Sequence, residues 1–254
     1  MIGSLKSHLR IAASRAVSLV LRVRAEELSP STLGRVLVVA PHPDDESLGC
    51  GGTIARLTGQ SGTVQIAMVT DGRASHPGHP LHDPDQIAAM RRGEAELAAL
   101  RLGVPAGELR FLGYEDGRLG ELSGAARARL VADLADLVRA TQPDTILAPL
   151  ARDGSSEHDR VTECLDEALR TSSQHPRVLE YPIWARWQVR PLVKAAFHYA
   201  GVFAVDIRAV EAVKRTAIAA HASQLLPLPP FTEPTLPADF RSLFEDPVEL
   251  FFER

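Results

Sequence analysis

From Gly34 onward, short runs of consecutive apolar residues alternate with longer stretches of helical period. The runs 35–40 (RVLVVA), 63–70 (TVQIAMVT), 109–113 (LRFLG), 145–150 (TILAPL), 177–183 (RVLEYPI) and 200–207 (AGVFAVDI) read as strands. Several are apolar without alternation, as expected of strands covered on both faces. Helical spacing fills 53–59 (TIARLTG), 86–103, 123–142, 155–171 and 209–224. Gly103 and Pro105 stop the second of these, Ser123 is placed to cap the third, and Pro143 breaks it. The segment 74–85 (ASHPGHPLHDPD) has no apolar period and reads as a loop. Strands alternating with helices of this length imply βαβ units. The expected fold class is therefore α/β, a mostly parallel sheet with helices on both faces, as a single domain over 35–254 that ends in a proline-rich tail.

Residues 1–34 read as an N-terminal helix and linker, with Pro30 ending the helix. Leu5, Leu9, Ala12, Ala13, Ala16, Leu19, Val20 and Val23 fall near helical spacing, and Lys6, Arg10, Arg15, Arg22 and Arg24 interrupt them. No apolar run approaches the ~20 residues of a membrane span, and arginines interrupt what would be the apolar part of a signal peptide. The expectation is a helix docked on the domain by its apolar face with the basic face in solvent. The competing reading is weak contact of residues 1–28 with a membrane surface.

Composition narrows the function classes. A net charge of −4 and 5% aromatic residues give no case for a nucleic-acid partner. Cys50 and Cys164 stand alone, which excludes a disulfide framework and a CxxC zinc site and suits a reducing, cytoplasmic compartment.

Ligands of such Rossmann-like sheets bind beyond the carboxyl ends of the strands. That rule puts His42, Asp44 and Asp45, Asp71-Gly72, Asp116-Gly117 and the segment 153–158 on one rim. A dinucleotide turn fits poorly. Gly49 and Gly51 supply two glycines of G-x-G-x-x-G, the third is missing, and the carboxylates of HPDDES would repel a pyrophosphate. A metal accounts for the carboxylates better. His42 and Asp45 on one turn can reach one ion, Asp44 and Asp45 point in different directions so that one faces the bound water, and His158 is the best-placed third ligand.

These residues also carry a family resemblance. The stretch APHPDDESLGCGGTIARL closely resembles the signature of the PIG-L/LmbE-like deacetylases, zinc-dependent N-deacetylases of N-acetylglucosamine conjugates and related amides. VTDG (69–72), RRGEAELAALRLGV (91–104), FLGYEDGRL (111–119), QPDTILAP followed by EHDRV, and KRTAIAAHASQ (214–224) are similar to further family segments, so the resemblance covers about residues 35–225. It implies His42, Asp45 and His158 as ligands of one Zn²⁺ (or another divalent transition metal), Asp44 as the general base, and Arg91 and Asp116 where the sugar binds. The implied reaction is removal of an acetyl group from a small-molecule glycoconjugate by metal-activated water. The alternative is a catalytically silent metal- or carbohydrate-binding protein on the same scaffold.

One departure stands out. The family's H-x-D-H before the last-ligand helix reads Ser155-Ser156-Glu157-His158 here, so the histidine that helps stabilise the tetrahedral intermediate is a serine. His221, inside a family-like segment, is the candidate replacement donor, the alternative being that it packs under the sheet and does no chemistry. His76, His79 and His82 suit a flexible substrate lid better than a second metal site, because Pro77 and Pro80 forbid a regular helix. Trp184 and Trp187 are read as core in preference to a platform for a sugar face.

Overall fold

The structure is a computed structural model and describes residues 2–199 and 201–253, with side chains from Lys6 on. Among them are the strands β1 (Glu26–Glu27), β2 (Val36–Ala40), β3 (Val64–Thr70), β4 (Leu109–Tyr114), β5 (Thr145–Pro149), β6 (Arg177–Tyr181), β7 (Gly201–Asp206) and β8 (Val248–Glu253). They form one sheet in the order β1-β7-β8-β6-β5-β2-β3-β4. All pairs are parallel except those of β8, which runs antiparallel to both β6 and β7. The helices are α1 (Ile2–Arg24), α2 (Asp45–Gly59), α3 (Pro84–Arg101), α4 (Gly124–Thr141), α5 (Ser156–Arg170), α6 (Trp184–Gln188), α7 (Arg190–His198), α8 (Glu211–Ile218), α9 (Ala222–Leu225) and α10 (Ala238–Arg241).

β2 shows why the sheet needs cover on both sides. Its five residues are all buried. Val36, Val38 and Ala40 join a core with Leu48, Ile54, Ala95 and Ala98 of α2 and α3, while Leu37 and Val39 join one with Leu130, Leu134, Val161 and Leu165 of α4 and α5. Period-2 alternation on a strand with two apolar faces yields the continuous run seen in the sequence.

Several elements differ from the sequence expectation. The first crossover helix starts at Asp45, not 53, and bends at Cys50 (φ −142°, ψ 17°). Its glycines serve packing: a Cβ on Gly49 would stand 2.3 Å from Tyr181, and one on Gly52 2.6 Å from Ile207. The stretch 209–224 is not one long helix. It breaks between α8 and α9, where the Glu94 carboxylate accepts the Ser223 N–H (2.6 Å) and hydroxyl (2.7 Å) and fixes a new helix start. Residues 184–198, given no element from the sequence, form α6 and α7, and the apolar end of the tail becomes β8 inside the sheet. Ser123 does precede α4, but its hydroxyl makes no capping bond.

The N-terminal helix is turned over relative to expectation. Ser14, Ser18 and Leu21 face the domain, whereas Leu9, Ala12, Ala13, Ala16, Leu19, Val20 and Val23 are exposed. The side chain of Leu5 lies outside those described. Polar anchors set the rotation: Ser7 Oγ donates to Asp239 (2.5 Å), Arg10 lies over the Trp187 ring (4.5 Å), and Arg22 pairs with Asp246 (2.5 Å). The chain after the helix adds β1 to the sheet edge beside β7.

Candidate active site

β5, β2, β3 and β4 lie side by side, so the segments leaving their carboxyl ends meet although they are far apart in sequence. The turn after β2 carries His42, Asp44 and Asp45; the segment after β5 carries Asp153, Glu157 and His158; the turn after β4 carries Asp116. Ligand atoms of His42, Asp45 and His158 lie within 4.8 Å of one another. A second group of the same kind, His42, Asp116 and Glu157, shares His42.

The two nitrogens of each imidazole separate the groups. His42 Nε2 is 2.7 Å from Glu157 Oε2 and 3.3 Å from Asp116 Oδ1, while Nδ1 is 3.2 Å from Asp45 Oδ2. His158 Nδ1 is 2.9 Å from Asp153 Oδ2. His158 Nε2 is buried without a hydrogen-bond partner, 3.3 Å from the same Asp45 oxygen. Without a cation, Asp45 Oδ2 also faces an imidazole nitrogen of each ring; with one bound, N–H groups directed to Glu157 and Asp153 would leave His42 Nδ1 and His158 Nε2 free to join Asp45 Oδ2 as ligands. A carboxylate behind each ligating histidine is the usual support of a metal site. The orphaned His158 nitrogen and this donor set fit a divalent cation.

The electrostatics agree. Burial alone would lower the pKa of His158, but Asp45 and Asp153 outweigh it and raise the ring to about 9. His42 is likewise held well above its usual range by Asp116, Asp45 and Glu157 against the cost of burial. Asp45 stays ionised well below the usual carboxylate range because the two imidazoles offset its desolvation. The cluster attracts positive charge into a buried place, which a metal ion supplies.

Asp44 is built differently from its neighbour. Its backbone holds φ 149°, ψ −24°, a strained conformation for a residue with a side chain. Glu46 Oε2 accepts the Asp44 N–H (3.0 Å), and Arg91 Nη2 donates to both the Pro43 carbonyl and Asp44 Oδ2, the latter at 3.1 Å. Burial pushes the Asp44 carboxyl up to about 6, with Arg91 opposing and the adjacent Asp45 charge adding to the shift.

A cavity of about 340 Å³ opens on these groups. Arg91 and Asp116 line it, with Trp184 and Phe240 opposite, 5.1 Å apart between ring centres. Trp184, read from the sequence as core, is thus also part of the cleft wall. Trp187 packs on Phe240 away from it.

The structure places three further features that the sequence singled out. His221 does not line the cavity; its Nε2 is 3.3 Å from both Glu46 Oε1 and Ser47 Oγ, one layer behind the turn, because the helix breaks just before it. Ser155 heads α5, where its hydroxyl accepts from the His158 N–H. The 74–85 loop is clamped, not free: His76 and His79 are buried, and both rings pack on Phe231 of the tail. Among the described residues, the imidazoles of His76, His79 and His82 form no metal-binding group.

Sequence reasoning missed the partners Asp153 and Glu157. The signal was available, since each histidine ligand calls for an acceptor on its far nitrogen. It also missed Gln224 of α9 and Thr235, Leu236 and Phe240 of the tail, which reach the cleft.

Comparison with known proteins follows this geometry. The family model described as PIG-L: GlcNAc-PI de-N-acetylase matches residues 37–169, a span that contains the whole ligand set. A 1D-myo-inositol 2-acetamido-2-deoxy-alpha-D-glucopyranoside deacetylase of Kineococcus radiotolerans is 32% identical over 181 residues, covering 57% of this chain and 50% of the relative. A 2'-N-acetylparomamine deacetylase of Streptomyces fradiae is 33% identical over 136 residues, covering 49% and 48%. The chain thus spans about half the length of these curated relatives. The N,N'-diacetylchitobiose deacetylase from Pyrococcus horikoshii superposes with a TM-score of 0.61 at 27% identity, covering 77% of this chain and 72% of that one.

Proposed function

The chain belongs to the PIG-L (GlcNAc-PI de-N-acetylase) family, and from that premise we propose that it is a metal-dependent N-deacetylase acting on an N-acetylated amino sugar within a small glycoconjugate. The observation that carries this reading is Asp44: a buried carboxylate, poised near neutrality and pinned by Arg91, beside the ligand set. A purely structural metal site has no use for it.

His42 Nδ1, Asp45 and His158 Nε2 would hold the ion, zinc in this proposal. When bound, it supplies Lewis acidity and a water of lowered pKa. The chain's own groups do the rest. Arg91 occupies Oδ2 of Asp44, which leaves Oδ1 to take a proton from the attacking water. Burial, which raises this carboxyl against the Arg91 charge, favours accepting that proton and returning it to the departing amine. Asp116 accepts hydrogen bonds from sugar hydroxyls, and Trp184 offers a ring face to the pyranose. His221 acts as a positioning residue behind Glu46 and Ser47. The kind of aglycone follows from the tail residues that close the cleft.

The test is amine release from a panel of N-acetylglucosamine conjugates by the zinc-loaded protein. Turnover of at least one conjugate, lost on chelation and regained with zinc, is the expected result. A folded, zinc-loaded protein that binds these conjugates but releases no amine would establish the silent binding protein instead.

A further inference from the structure

α1 faces solvent with the wrong side for a helix whose only neighbour is its own domain. Leu9, Ala12, Ala16, Leu19, Val20 and Val23 recur at three- and four-residue steps and form one exposed stripe, with Val23 81% exposed, while Ser14 and Ser18 are buried. Hydrophobic burial alone would rotate the helix the other way. At roughly 100° per residue, Lys6, Arg10 and Arg24 border the stripe on one side and Arg15 and Arg22 on the other. No carboxylate occurs in residues 1–25, although the whole chain is at −4.

The stripe continues onto α7. Arg24 Nη1 donates to the Ala196 carbonyl (3.3 Å), so the two helices lie side by side. The next outward positions of α7 are Val193 and Phe197, the latter 79% exposed. Beyond them opens a cavity of about 660 Å³, lined by Arg152, Arg190, Lys194, His198 and Tyr199 and by no carboxylate. Among the described residues, Arg152, Arg190 and Lys194 have no ion-pair partner.

We propose that the outward faces of α1 and α7 form a docking surface for an anionic lipid bilayer, with Leu19, Val20, Val23 and Phe197 entering the interface and the α7 cavity receiving a phosphate headgroup. Charge complementarity selects this occupant. A second copy would bring the same cations against each other, and a neutral surface would leave Lys6, Arg15, Arg152, Arg190 and Lys194 without an ion-pair partner among the described residues. A bilayer of acidic lipids meets both halves of the pattern: apolar side chains reach the acyl boundary while arginines and lysines stay with the headgroups. The stripe on α1 lies against β7 and α7 and shares no residue with the candidate ligand set, although the cavity reaches Arg152 beside Asp153. The proposal therefore does not depend on the deacetylase reading.

Co-sedimentation of the full chain with vesicles of phosphatidylcholine alone, and of an equal mixture with phosphatidylglycerol, tests it. Binding to the mixed vesicles, at least tenfold tighter than to phosphatidylcholine and weakening with added salt, is expected. The double variant Val20→Glu/Val23→Glu and the single variant Phe197→Ser should each weaken binding. Arg190→Glu/Lys194→Glu should reduce it by more than roughly fivefold per charge. All these side chains are exposed, so an unchanged melting temperature checks that folding is intact. No binding to the mixed vesicles, or equal binding to both kinds, overturns the proposal. So does a stable dimer in sedimentation equilibrium that Val20→Glu/Val23→Glu dissociates, because the face then belongs to a second copy.

Discussion

Asp44 holds strained backbone and a shifted carboxyl at one position: burial raises the carboxyl against the opposing Arg91 charge, and the contacts of the turn hold the backbone. The Pro43 carbonyl and the Asp44 side chain share the Arg91 guanidinium, while Glu46 takes the Asp44 N–H. Asp44→Asn preserves these contacts in shape and removes the proposed base. Zinc content should remain stoichiometric and turnover should fall by ~10²–10⁴-fold; near-normal turnover would place the base elsewhere. Glu180 shows the same physics without chemistry. It is fully buried, and desolvation raises its carboxyl to about 7 although the Tyr199 hydroxyl and the Ala151 N–H oppose the shift. A raised carboxyl means that the folded protein keeps a proton which the unfolded chain, with its value near 4.5, has released. Stability from this group is therefore highest below pH ~4.5 and declines until pH ~7. Glu180→Gln should flatten that decline and stabilise the protein at pH 8 by on the order of 3 kcal/mol. Urea titrations of both proteins at pH 5 and pH 8 measure it, and an equal difference at the two pH values would refute the assignment.

At the scale of elements, α2 is the piece on which the site is mounted. Its bend at Cys50 frees the N–H groups of Gly52 and Thr53, and Glu249 of β8 accepts both at 2.8 Å while also pairing with Lys214 of α8 at 2.7 Å. One buried carboxylate thus caps the second half of the helix and ties it to a late strand and a late helix. Glu249→Gln would leave Lys214 buried and uncompensated, at a cost of about 3–5 kcal/mol; loss of well under 1 kcal/mol in denaturant unfolding would show that the pair is dispensable. Gly49 sets how closely the first half approaches β6. Gly49→Ala drives a methyl into Tyr181, whose hydroxyl donates to the Val39 carbonyl at 2.8 Å. The expected cost is about 1–3 kcal/mol, read as a lowered melting temperature.

Across the whole molecule, the proposed metal site joins two crossover connections that meet only in the folded sheet. His158→Ala removes the ligand that bridges them, so zinc should be lost on dialysis while the protein stays folded. Elemental analysis and thermal unfolding check this together, and retained stoichiometric zinc would overturn the ligand set. Zinc added to the metal-free wild type should raise the melting temperature, by the equivalent of about 2.7 kcal/mol when free zinc reaches a hundred times its dissociation constant. Much of this site was legible beforehand. Continuous apolar runs such as VLVVA mark strands buried on both faces, and an acidic turn with a histidine after the first of them marks the rim, because both signals are local in the chain. The partners Glu157 and Asp153 were recoverable by chemistry but not by spacing. The tertiary structure alone decided three things: that β8 enters the sheet between β6 and β7, that the tail closes the cleft with Leu236 and Phe240, and that α1 buries its serines. Each depends on contacts between residues distant in sequence. A period of apolar residues states how wide a face is, but which face is covered depends on the anchors that the rest of the fold presents to it.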